Sequence, residues 1–144
     1  MGAWETGVFD NDGAGDFLII VERDYSAIVN QIEYVETTWS EDEYMEVDEG
    51  SCILAAGELI LEAYGVHPVQ RLSEKVDLTA VKSQITLELL QKVIGLIQIA
   101  LNMDNSDRSE VYELWAEADP EDFAKWKQTG QAILHQLEQL SVGA

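Results

Sequence analysis

In the stretch Ser51-Cys52-Ile53-Leu54-Ala55-Ala56-Gly57-Glu58-Leu59-Ile60-Leu61-Glu62-Ala63-Tyr64, apolar residues come round on nearly every side of a helix. Gly57, Glu58 and Glu62 are the main interruptions. A helix that is apolar almost all round is one that other elements surround. Gly65 then stands where a helix C′ residue takes positive φ at no steric cost, and Pro68 soon after prevents continuation. Such a buried helix needs a shell of amphipathic ones.

The flanking sequence has the patterning for that shell. Upstream, Ala14, Phe17, Leu18, Val21, Tyr25, Ile28, Val29, Ile32 and Val35 recur at steps of three and four, which marks one helix face. Asp12 is placed as its N-cap, and Asp16 adds a negative charge in the first turn. Asp24 or Ser26 is able to cap anew, so the run reads as one helix or two. Downstream, a helix is expected over residues 79–103, with a solvent stripe at Gln84, Glu88, Gln91, Gly95, Gln98 and Asn102. A short helix follows, capped by Ser106 or Asp107 and running through Ala118. The clearest start is Asp119-Pro120-Glu121-Asp122, an N-cap followed by a first-position proline and two acids. Phe123, Trp126, Gly130, Ile133, Leu137 and Leu140 then form a heptad stripe, expected to lie in the monomer's core. No convincing strand pattern occurs. The expectation is an all-α, compact single domain spanning 1–144, built from five or six mostly antiparallel helices. Residues 1–12 would form an N-terminal arm and residues 37–50 an acidic connection.

Composition narrows the function. The 144 residues include 28 acids and 8 Lys plus Arg, for a net charge of -20, while 47 % are hydrophobic. That apolar share argues against intrinsic disorder. So few cations cannot build the basic surface that phosphate neutralisation needs, which argues against direct nucleic-acid binding and against an anionic membrane. Cys52 is the single cysteine and lies in an apolar run, where a buried and inert thiol is the ordinary occupant. Residues 1–5 have neither the basic nor the apolar region of a signal peptide, and no run of ~18 apolar residues appears, so a cytoplasmic location is expected.

Residues 1–64 hold 16 acids and one cation (Arg23), a net charge of -15, so most of the excess precedes Gly65. The densest part is interleaved with aromatics: Trp39, Glu41, Asp42, Glu43, Tyr44, Glu46, Asp48 and Glu49. A solvated acidic loop is one reading. The other is a docking surface for a basic partner, because aromatic anchors beside charges of one sign are what recognition sites use.

Metal-binding patterns are incomplete. Asp10, Asp12 and Gly15 match positions of a calcium-binding loop, and Asp16 is nearby, but Ala14 and Val21 fall where ligands are needed. Glu58 and Glu62 lie four apart, yet no Glu-x-x-His motif accompanies them; a solvated narrow edge of the helix, or a pairing with Arg71 or Lys75, is the better expectation. His67 and His135 have no partner legible in the sequence, and phosphate-loop, serine-elbow and paired-cysteine signatures are absent. No cofactor is expected.

Three stretches carry a resemblance. They are Gly2-Ala3-Trp4-Glu5-Thr6-Gly7-Val8-Phe9-Asp10-Asn11-Asp12 with Asp16-Phe17, then Glu46-Val47-Asp48-Glu49-Gly50-Ser51 with Ala55-Ala56-Gly57-Glu58, and Ser109-Glu110-Val111-Tyr112-Glu113-Leu114-Trp115 with Phe123 and Trp126. Together the chain resembles bacterial proteins of the domain of unknown function 4259 family, with Glu5 standing where that pattern has glycine. The resemblance implies a small helical protein and transfers no catalytic residue.

The leading functional expectation is a non-enzymatic acidic protein of the immunity, antitoxin or inhibitor type that neutralises a basic protein by charge complementarity. The alternative is a divalent-cation-binding protein or metal-dependent enzyme that uses Asp10, Asp12 and Asp16 or the Glu58–Glu62 pair.

Overall fold

The computed structural model describes residues 12–66, 77–103, 105 and 107–143, with the side chains of 12–15, 42 and 143 left aside. The proposed arm therefore lies outside the described residues except for Asp12, as do His67, Pro68, Arg71 and Lys75. The helices in chain order are α1 (Asp12–Arg23), α2 (Ala27–Asp42), α3 (Val47–Ala63), α4 (Leu78–Ser83), α5 (Leu87–Ala100), α6 (Glu110–Ala116) and α7 (Pro120–Gly143). Among the described residues there is no strand, only one isolated parallel bridge between Met45 and Ser109. The all-α expectation holds, with seven helices among the described residues against the five or six expected.

Two breaks account for the difference. Asp24 Oδ1 accepts the Ser26 backbone N–H at 3.1 Å and its hydroxyl at 2.6 Å, which turns the chain between α1 and α2. The helix expected over 79–103 is interrupted by Gln84, Ile85 and Thr86, because Thr86 Oγ1 caps a fresh helix through the Leu89 N–H at 3.1 Å. Asp77 caps α4 in the same way, through Thr79 and Ala80. Periodicity bridged that break because the apolar steps keep their phase across it.

α3 is the central helix. Every residue from Glu49 through Leu61 is buried, and α3 touches each of the other six helices. Its end is a Schellman motif: the Gly65 N–H donates to Glu62 O at 3.1 Å and the Val66 N–H to Leu61 O at 3.0 Å, with Gly65 at φ +69°. Gly57 lets neighbours close on α3, since a Cβ there would sit 2.8 Å from Ile97 Cδ1 on α5 and 3.0 Å from Ile133 Cγ2 on α7. Gly130 plays the same part on α7, where a Cβ would come within 2.4 Å of Leu101.

The start of α7 is as expected: Asp119 Oδ1 accepts the Glu121 N–H at 2.9 Å and Pro120 is the first helical residue. Its heptad stripe faces inward, with Trp126, Ile133 and Leu137 buried in the chain's own core. The cap of α6 is Ser109 rather than Ser106 or Asp107. Its hydroxyl donates to Ala100 O at 2.7 Å and accepts the Tyr112 N–H at 3.3 Å. The cap is thus a residue that also holds the end of α5, a tertiary contact with no local signal.

Candidate functional site

The acidic connection expected over residues 37–50 is mostly helix. α2 continues to Asp42 and α3 begins at Val47, so the non-helical link is Glu43, Tyr44, Met45 and Glu46. Glu43 ends α2 in the left-handed region at φ 53°, and its N–H donates to Trp39 O at 2.8 Å. Met45 is fully buried and anchors the link. Its N–H donates to Arg108 O at 2.8 Å, and its carbonyl accepts the Glu110 N–H at 2.9 Å. The link is therefore fastened to the start of α6, more than sixty residues away in sequence.

Part of the acidity has a structural cause. The N-terminus of α3 presents orphan N–H groups and the positive end of the helix dipole, which favour Glu46, Asp48 and Glu49 there. Glu49 reaches back to the Glu46 N–H at 3.4 Å, and Glu110 Oε1 accepts the Val47 N–H at 2.8 Å. Glu49 is 8 % exposed and so does not belong to a solvent-facing contact set.

The remaining sequence-selected residues divide between two faces. Trp39 and Glu41 line a groove between α2 and α5, together with Glu36, Lys92 and Gly95. Asp48 lines a smaller cleft with Phe17, Ile20 and Tyr34. Between them stand Glu43, Tyr44 and Glu46, of which Glu43 and Glu46 are exposed and Tyr44 half-buried. Asp42 lies in the last turn of α2. Sequence reading missed Arg108, Glu110 and Glu113, which α6 brings beside this link; their distance along the chain left no local signal.

Two of the chain's own cations sit on this surface. The Arg108 guanidinium lies over the Trp39 ring at 5.6 Å and 3.8 Å from Glu43 Oε1. On α5, the Lys92 ammonium lies 3.5 Å from Glu36 and 3.7 Å from Glu88. These pairs are partly or largely solvent-exposed, each contributing little to stability by itself. Their value here is that they define carboxylate-and-aromatic geometry suited to guanidinium and ammonium groups.

Tyr44 reports the local field. Its hydroxyl donates to Glu113 Oε2 at 3.0 Å. Desolvation first, then that hydrogen bond and the charges of Glu113, Glu110 and Glu46, push the phenol from 10.0 up to about 12. A raised folded value means that this group's contribution to stability is complete below pH 10 and is lost as pH rises through about 12. In an alkaline absorbance titration, the difference between the native chain and Tyr44→Phe is expected to show one tyrosine ionising near 12. A midpoint near 10 would place Tyr44 outside the field of these carboxylates.

The metal-binding alternative gains no geometry. Asp10 and the side chain of Asp12 lie outside the described residues, and Asp16 is exposed. Among the described residues, no group of three or more His, Cys, Asp or Glu stands close enough to hold an ion. Glu58 is fully buried and Glu62 half-buried on α3, so a solvated edge does not hold at Glu58, and the expected partners Arg71 and Lys75 fall outside the described residues. Cys52 is buried against α1, and burial with the nearby Glu49 charge pushes its thiol up to about 12, as an unreactive thiol requires. Among the described residues, no helix is long and apolar enough to cross a membrane.

A family model described as "Domain of unknown function (DUF4259)" matches residues 2–129. Neither the curated proteins nor the solved structures provide a match.

Proposed function

The chain belongs to the DUF4259 family, whose description assigns no activity, and from its own surface we propose that it is a non-enzymatic acidic protein that binds and neutralises a basic protein. An immunity, antitoxin or inhibitor role in the cytoplasm is the form this takes. The contact surface is Trp39, Glu41, Asp42, Glu43, Tyr44, Glu46 and Asp48, extended by Glu36, Glu110 and Glu113. The observation that carries the reading is Arg108 seated over Trp39 and against Glu43. It is the contact a partner's arginine would make, formed here within the chain. The surplus of carboxylates around it leaves further positions for cations, and such a surface accelerates encounter with a basic partner through long-range steering.

Affinity capture from the native host at low and high salt tests this. A basic protein is expected to be retained at low salt and released at high salt. Glu36→Gln/Glu41→Gln/Glu43→Gln is expected to weaken its binding by about tenfold or more, chiefly through slower association. Recovery of no basic protein, or binding indifferent to both salt and the triple variant, overturns the reading.

A further inference from the structure

α2 and α5 leave an open groove of about 580 Å³ between them. Trp39, Gly95, Leu96 and Ile99 form its apolar lining, and Glu36 and Glu41 stand on its rim. Gly95 is the informative residue. Glycine in a helix interior weakens the helix, and Gly57 and Gly130 are tolerated because neighbouring side chains occupy the space a Cβ would need. Gly95 has no such neighbour among the described residues: a Cβ built there meets none of their atoms within 4 Å. No described residue packs where a side chain at 95 would stand, and a glycine there leaves the backbone open to close approach.

The shape and charge narrow what approaches. Small-molecule sites bury most of their ligand in a concavity, and this groove lies open between two helices, a form that suits a third helix. The rim already holds an ammonium, since Lys92 lies between Glu36 and Glu88. We propose that the groove seats an amphipathic basic helix of the partner, with an apolar side chain over Gly95 beside Trp39 and Ile99, and lysine or arginine side chains against Glu36 and Glu41. This rests on the reading of the partner as basic and adds to it the secondary structure and the anchoring position.

The test uses the full chain and an eighteen-residue (~27 Å) Lys/Leu peptide of amphipathic helical pattern, with a scrambled peptide of equal composition as control. Amide and indole shifts by NMR are expected to move at Gly95, Leu96, Ile99 and Trp39 with the amphipathic peptide. Gly95→Trp is expected to weaken its binding by about tenfold, the scale of one lost anchor, and Gly95→Ala by less. Both variants are expected to keep or raise the Tm, because either residue favours a helix more than glycine does. Loss of binding with an intact Tm therefore reports steric filling of the groove. If both peptides bind equally, in a salt-sensitive way and without regard to residue 95, the groove proposal fails and the acidic-surface reading stands. If neither peptide binds at low salt, both fail.

Discussion

Trp126→Ala is expected to cost about 3–5 kcal/mol of folding stability, the range for deleting a large buried aromatic side chain. Trp126 is 3 % exposed on α7 and stacks on Trp115 of α6, with ring centroids 5.9 Å apart and planes 12° from parallel. Tyr112 meets the same ring edge-on at 6.2 Å, and Phe123 completes the cluster at 6.4 Å. These rings clamp the seven-residue α6 onto α7. A helix that short has little stability without packing. Since domains of this size are stable by roughly 5–15 kcal/mol, the loss should show as a large fall in the denaturation midpoint. The effect reaches the acidic surface as well, because α6 begins beside the residues that fasten Met45. A change below ~1 kcal/mol would mean that the aromatic cluster does not hold α6 in place.

The second large effect tests the central position of α3. Leu59→Ala and Ile60→Ala are each expected to destabilise by about 2–5 kcal/mol. The two positions are consecutive, so their side chains leave the helix about 100° apart. On an amphipathic helix one of such a pair is commonly exposed and cheap to truncate. Here both are fully buried, and the helix is covered on all sides by the other six. Gln98→Ala on the exposed face of α5 serves as the control and should stay within ~0.5 kcal/mol. Urea denaturation of the three variants decides the matter: one cheap truncation among the two on α3 would reduce it to a peripheral helix.

The placement of the acidic residues alters how their charge is understood. As a string, the run from Glu41 to Glu49 is a loop laden with like charges. In the folded chain, Asp48 and Glu49 occupy the first turn of α3, where backbone N–H groups favour them, and Glu110 shares in capping that same end. Their density thus has a structural component, and the part left for the proposed recognition lies on the α2 side, around Trp39, Glu36, Glu41 and Glu43. By its neighbours in sequence Glu49 belongs with the acidic run, but its reach back to the Glu46 N–H turns it inward.

Residue spacing alone was enough to establish the helical class, the buried character of residues 51–61, the stop at Gly65 and the start at Asp119-Pro120. Each depends on interactions within about four residues, so period and capping chemistry record them directly. The stripe on α7 was legible for the same reason. Folding in three dimensions settled the rest: that Ser109, and not Ser106 or Asp107, caps α6, that Glu110 serves the N-terminus of α3, that Arg108 covers Trp39, and that Gly95 opens onto a groove. Those outcomes join residues far apart in the chain. They depend on which helices lie side by side, and a local pattern carries no record of its eventual neighbours.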